Sequence, residues 1–269
     1  MRMLFVCLCW VLMLLSCKKE AATKDNVSTT SVLVSVKTRQ VTGNSILNEN
    51  IYTGNGDIKR RVSYKDYALG LISAKVDYGY EGNRLMQIDD QVDFSSSSAS
   101  TQYSHSRSIF DYTNNRISQR NNFLKNGDQY ELRSFAVFEY NQQGLPEKET
   151  RYTADGALIG YSLYEYTTSG NVVSASEYGI SNNNPTPALL IKRTYTYDIH
   201  NNPYKRVYSL VENIPFSVNT NNIVQTVSVN YADAANPQTS TFKTTYTYND
   251  KGFPASMNEN GNEFLLEYK

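Results

Sequence analysis

Along most of this chain aromatic and β-branched residues alternate with polar ones, and clusters of Asn, Asp, Gly and Ser interrupt the alternation at short intervals. Period-two alternation bounded by turn formers is the pattern of half-buried β-strands. Six segments align without gaps on a tyrosine that follows another aromatic by two positions: Tyr78 to Leu85, Phe110 to Ile117, Phe138 to Leu145, Tyr164 to Asn171, Tyr195 to Asn202 and Tyr246 to Phe253. Their anchors, Tyr80, Tyr112, Tyr140, Tyr166, Tyr197 and Tyr248, are 32, 28, 26, 31 and 51 residues apart. Such a period fits two strands and two turns per unit. The long last interval predicts a decayed or inserted unit around Val227-Ser228-Val229-Asn230-Tyr231.

Each position of the repeat has a physical cause. Aromatics two apart share one face of a strand, so Tyr246 and Tyr248 face one way while Thr245 and Thr247 face the other. The three polar residues that follow stop the strand. Gly144, Gly170 and Gly252, with Asn201, then sit where a residue of positive φ closes a hairpin at little cost. Arg84 and Arg116 occupy that position in two units, which predicts earlier turns at Gly82 and Asn115. Pro146, Pro203 and Pro254 come two residues later in three units and predict the first residue of a returning strand. Between units, Asn126-Gly127, Asp155-Gly156 and Asn260-Gly261 are short-turn signals. Helical periodicity is nowhere sustained; segments such as Pro187 to Lys192 are too short.

The first residues break the alternation. A single cation at Arg2 precedes an apolar run from Leu4 to Leu15, which ends in Ser16-Cys17 and the polar Lys18-Lys19-Glu20. That is the layout of a signal peptide over residues 1–16. It is shorter than the roughly 20 apolar residues of a membrane-spanning helix. Leu14-Leu15-Ser16-Cys17 resembles a bacterial lipobox, which implies that Cys17 is diacylated on sulfur and anchors the mature chain in the membrane. The alternative is cleavage without lipidation. Residues 17–30 then form a tether and 31–269 the β domain. In the Gram-negative lipoproteins that this segment resembles, Asp after the cysteine favours inner-membrane retention. Lys18 stands there instead, so the expected location is the outer membrane, facing the periplasm or the cell surface.

Phe138-Glu139-Tyr140-Asn141-Gln142-Gln143-Gly144-Leu145 and Tyr246-Thr247-Tyr248-Asn249-Asp250-Lys251-Gly252-Phe253 resemble the YD repeat of the Rhs type, whose core is aromatic-x-Tyr-Asp/Asn-x-x-Gly-apolar. Only Tyr197-Asp198 keeps the literal dipeptide. The similarity runs from Tyr78 to Phe253. It implies antiparallel hairpins in a broad curling sheet, of a kind found in uncharacterised lipid-anchored envelope proteins, and it implies no activity. The expected fold is all-β: a large antiparallel meander of hairpins forming a curled sheet or barrel-like shell. Whether that sheet closes, stays open or splits into two layers is not readable from periodicity.

Composition supports this fold and narrows the chemistry. Tyr numbers 22, and the single Trp is Trp10, inside the leader. Of three cysteines, Cys7 and Cys9 lie in the leader, so no disulfide framework is expected in the mature chain. With 26 basic and 26 acidic residues there is no basic field for nucleic acid. His105 and His200 are expected as exposed loop residues rather than as a shared metal or nucleophile site, and Asp89-Asp90 as a solvated hairpin end. Ser95 to Ser98 reads as a flexible loop or edge. No phosphate loop, nucleophile elbow, metal cluster or cofactor motif is expected. The tyrosines are the remaining functional surface. Either they fill the core, or some of them line a groove for an extracellular glycan or peptide. The sequence therefore supports a non-enzymatic envelope module contacting the membrane and envelope proteins, with ligand binding as the alternative.

Overall fold

A computed structural model describes residues 35–40, 45–54, 56–93, 103–181, 184–205, 214, 218–259 and 261–268. The leader, Cys17, the tether, the start of the β domain at residue 31, Ser95 to Ser98 and Asn260 lie outside the described residues. Sixteen strands follow one another without an intervening helix among the described residues. The first four are β1 (Ser35–Gln40), β2 (Ser45–Tyr52), β3 (Ile58–Asp66) and β4 (Leu71–Glu81). Next come β5 (Arg84–Asp93), β6 (Tyr103–Thr113), β7 (Arg116–Asn126) and β8 (Gln129–Tyr140). β9 (Pro146–Thr153), β10 (Leu158–Tyr166), β11 (Val172–Ser181) and β12 (Asn184–Asn201) continue the series. β13 (Asn221–Asn230), β14 (Gln238–Tyr248), β15 (Pro254–Glu259) and β16 (Asn262–Tyr268) end it.

Every strand pairs antiparallel with its neighbour in sequence, and β1 pairs with β16, so the meander closes into a ring. Closure places Val36 opposite Tyr268 and Gln40 opposite Phe264. It removes both exposed sheet edges, which would otherwise offer unpaired backbone groups to another chain. Tyr52, Tyr80, Tyr112, Tyr140, Tyr166, Tyr197, Tyr248 and Tyr268 all come at or near the ends of their strands, so one end of the ring is the tyrosine end. The described chain also enters there, because Val36 faces Tyr268.

The inner face is apolar near that end. Ile58, Val76, Tyr78, Leu85, Ile88, Phe110, Ile117, Ala136, Phe138 and Leu266 form one buried cluster drawn from strands on both sides of the closure. Farther along, the same face turns polar. Arg120 pairs with Glu149 at 2.8 Å, and Glu177 lies 3.6 Å from both Arg151 and Arg193. The outer face alternates with it and carries its own ion pairs: Asp77 with Arg60 and Lys75, Asp89 with Arg107, and Glu139 with Lys148.

Four expectations change. Asp89 and Asp90 sit inside β5, not at a hairpin end, and the strand's period sends Asp89 outward to Arg107 and Asp90 inward to the cavity near Arg120. His105 and His200 lie in β6 and β12, not in loops, and both are partly buried. Pro146 and Pro254 begin strands, but Pro203 does not. Between Asn201 and Asn221 the described residues are outside the sheet, and some of them are drawn inward: Tyr204 packs on the core cluster while Val218 and Asn219 are buried. The long last interval of the repeat therefore holds the inward-packed Tyr204, Val218 and Asn219 as well as the unit around Val227, which lies in β13.

Candidate functional site

The repeat tyrosines join one hairpin to the next through their hydroxyls. Tyr80 donates to the carbonyl of Ile58, Tyr112 to Leu85 and Tyr140 to Ile117, at 2.8, 2.7 and 2.7 Å. Tyr166 donates to Pro146, Tyr197 to Val172 and Tyr268 to Pro254, each at 2.6 Å. The acceptor is each time a buried residue at or next to the start of a strand. Each of these tyrosines except Tyr268 is also paired, within its own hairpin, with the equivalent residue of the next strand: Tyr112 with Ile117 and Tyr140 with Pro146. A register shift falls immediately before the tyrosine in every such hairpin, for instance between Asp111 and Tyr112 and between Glu139 and Tyr140. The bulge adds one residue to the returning strand and increases local twist. It thereby sets the tyrosine where it can reach back over the preceding hairpin.

The residue after the tyrosine builds the turn. In the loops 53–57, 141–145, 167–171 and 249–253 the first residue donates its N–H to the carbonyl of the fifth, and the fourth, a glycine, donates back to the first. The side chain of that first residue accepts the N–H of the fifth: Thr53 from Asp57, Asn141 from Leu145, Thr167 from Asn171 and Asn249 from Phe253. A short side-chain acceptor and a left-handed fourth residue are thus both required. Gly144, Gly170 and Gly252 have φ of 78°, 86° and 74°. In the two arginine units the turn is shorter. Gly82 has φ 62°, and Asn114 and Asn115 have φ 51° and 62°, the conformation of two-residue hairpins.

Tyr248 departs from the ladder. Its hydroxyl goes to the Asp198 carboxylate, and its ring stacks on His200 with centroids 3.7 Å apart. Asp198 also accepts the backbone N–H groups of His200 and Asn222. In this unit Tyr246 reaches Ile223 at 3.1 Å instead. Tyr52 and Tyr268 are not anchors of the sequence repeat, and Tyr246 is there the first aromatic of its pair and not the anchor. Tyr52 precedes a glycine by four like the other anchors, but Asn50 stands where an aromatic is expected.

Between the turns of the tyrosine end lies a cavity of about 660 Å³. Its walls include Tyr80, Tyr112 and Tyr140 with Leu85, Ile117 and Leu145, and Val218. Arg116, Lys205 and Asp57 bring charge to it. Arg116 lies over the Tyr140 ring and Arg84 over the Tyr112 ring, each 5.5 Å from the centroid. Burial pushes the Tyr140 phenol up to about 12, helped by Tyr112 and opposed by Arg116. It pushes Tyr112 in the same direction against the Arg84 charge. Of the sequence-predicted anchors the structure brings Tyr80, Tyr112 and Tyr140 together here, along with Gly144 and Gly170. Tyr166, Tyr197, Tyr248 and Gly252 are not among the cavity's walls. Among the described residues no group of three His, Cys, Asp or Glu side chains could hold a metal ion.

No protein-family model and no curated protein matches the chain. Among solved structures, a porin-like protein from Bacteroides vulgatus ATCC 8482 is 13% identical, with a TM-score of 0.48 over 88% of this chain and 98% of that one. A porin-like protein from Bacteroides uniformis ATCC 8492 is 10% identical, with a TM-score of 0.45 over the same shares. TcdB2-TccC3 is 12% identical, with a TM-score of 0.29 over 82% of this chain and 13% of that one. The all-β assignment accordingly rests on the strand pairing itself.

Proposed function

We propose that this chain is a non-enzymatic interaction module of the Gram-negative envelope, built from YD-type repeats and held on the outer membrane through lipid on Cys17. The observation that supports it is the tyrosine ladder. The residue that the repeat preserves is engaged in tying unit to unit, so the repeat specifies a framework rather than a reacting group. The lipobox-like Leu14-Leu15-Ser16-Cys17 supports the anchor, since several acyl chains hold a protein durably where one does not.

A second reading, a binding protein for an extracellular glycan or peptide, is favoured by the tyrosine-walled cavity. At about 660 Å³ it falls within the roughly 300–1,000 Å³ of small-molecule sites.

The anchor is tested by fractionating cells that express the Cys17→Ser protein. Release into the soluble fraction, with labelled fatty acid entering the wild type only, is the expected result. A Cys17→Ser protein that stays in the membrane pellet, beside a wild type that takes up no label, would overturn the lipoprotein reading. A hydrolytic activity lost on changing His105 or His200 would overturn the non-enzymatic one.

A further inference from the structure

We propose that the tyrosine-end cavity binds a short acidic oligosaccharide, with a sugar ring on the tyrosines and a carboxylate between Arg116 and Lys205. The proposal rests on the reading of the chain as an envelope module with a binding concavity, and it names what the concavity takes.

The first observation is how the arginines are distributed. Arg60, Arg107, Arg120 and Arg133 pair with Asp77, Asp89, Glu149 and Glu131. Arg151 and Arg193 share Glu177, and Arg61 acts electrostatically on Asp90. Among the described residues Arg84 and Arg116 have no such carboxylate. Both stand at turns of the tyrosine end, and each lies over the tyrosine of the next unit. Lys205 donates to the Thr220 hydroxyl, a neutral partner. Among the described residues the cavity walls thus carry two cations, Arg116 and Lys205, against one carboxylate, Asp57. Guanidinium donors pair well with a carboxylate.

The second observation separates a sugar acid from a simple alkyl or aryl acid. The hydroxyls of Tyr80, Tyr112 and Tyr140 already donate to main-chain carbonyls. Their hydroxyl protons are thus engaged, and the rings contribute wall surface beside Arg116. Around them the walls carry the amides of Asn83 and Gln143 and the hydroxyls of Thr168 and Ser169. A plain hydrocarbon acid would cover these polar groups without pairing them, at a cost in affinity. A polyol ring matches both the amides and the phenol oxygens.

Calorimetry on the whole chain tests this with trigalacturonate, maltotriose and inorganic phosphate as probes. Trigalacturonate should bind at least tenfold more tightly than maltotriose, and phosphate should not compete. Arg116→Gln and Lys205→Gln should each weaken trigalacturonate at least tenfold, Arg116→Lys should keep part of the affinity, and Arg107→Gln on the outer face should change nothing. Circular dichroism confirms that the variants are folded. Equal binding of maltotriose would overturn the acidic ligand while keeping the concavity reading. Competition by phosphate would reduce the site to an adventitious anion position, and no trigalacturonate binding, or binding indifferent to Arg116 and Lys205, would overturn the proposal. The anchor reading has its own test in the Cys17→Ser fractionation, so the two can fail separately.

Discussion

Replacing Tyr140 by phenylalanine keeps the ring against the core cluster and Arg116 and removes only the hydroxyl that meets the Ile117 carbonyl at 2.7 Å. A neutral hydrogen bond contributes ~0.5–1.5 kcal/mol net, and an acceptor left buried without a partner costs about 1–3 kcal/mol. Ile117 is only 8% exposed, but the tyrosine end is lined by a cavity through which water can reach the carbonyl. The expected loss is therefore about 1–2 kcal/mol. For a domain of this size each kcal/mol lowers Tm by ~2–4 °C, so Tyr140→Phe should melt about 2–8 °C below wild type in a circular dichroism scan. Tyr140→Ala also removes the ring. Full burial would make that about 3–5 kcal/mol, and a half-buried ring places it near the lower end. Tyr152→Phe, on an outer-face tyrosine stacked on Phe135, is the control and should stay within about 0.5 kcal/mol of wild type. A Tyr140→Phe protein that melts with wild type and with the control would refute the ladder as a source of stability.

Gly252→Val places a β-branched residue at φ 74°, a strained conformation that should lower stability by more than about 1 kcal/mol in urea titration. Gly160→Ala should cost more, roughly 1–3 kcal/mol or above, because its added Cβ would lie 2.1 Å from the Tyr178 backbone oxygen and force β10 and β11 apart; an unchanged melting curve would contradict that close approach. Alkaline pH should unfold the chain cooperatively. Burial pushes the phenols of Tyr140 and Tyr195 up to about 12, and those of Tyr166 and Tyr197 upward as well. A phenol that holds its proton more tightly in the folded than in the unfolded chain stabilises the fold below its unfolded pKa of about 10 and loses that contribution as pH rises through the folded value. Tyrosinate absorbance at 295 nm should therefore rise together with loss of β signal above about pH 10. Ionisation that runs to completion with the β signal intact would show that the phenols are not buried.

The hairpin meander was readable because its cause is local: an aromatic pair on one face, a short side-chain acceptor, a left-handed glycine, an apolar restart. Each of these lies within eight residues of the others. The bulge before each tyrosine was not readable, since it depends on how two strands pair and leaves no residue signature of its own. The destination of the hydroxyls was equally hidden, because the acceptor is a main-chain carbonyl of the preceding hairpin and any residue has one. Ring closure depends on β1 meeting β16, a contact between opposite ends of the sequence. The site suffered most. Arg84 and Arg116 depart from the turn rule, and only the structure shows each over the next unit's tyrosine, with Arg116 in the wall of the cavity. Lys205 lies just beyond Pro203, in a stretch that the repeat predicts to be a strand.

A ring of sixteen antiparallel strands could in principle stand in a bilayer or in water, and the side-chain period decides between them. A spanning barrel turns its apolar face outward to lipid and its polar face to the lumen. Here the buried apolar cluster faces inward at the tyrosine end, while β3, β4 and β6, which contribute to it, carry Arg60, Lys75 and Arg107 on the opposite face, and the neighbouring β9 carries Lys148 there, each with a carboxylate partner. Placing an Arg or Lys on the lipid face near the bilayer midplane costs ~2–4 kcal/mol. Four of them together would approach the ~5–15 kcal/mol that stabilises an ordinary domain. The strand number is thus compatible with a membrane barrel and the distribution of charge is not. The Cys17→Ser protein should accordingly purify without detergent and keep its β signal. If it folds only in micelles, the assignment of inner and outer faces is inverted, and the ladder, the cavity and its proposed ligand fall with it.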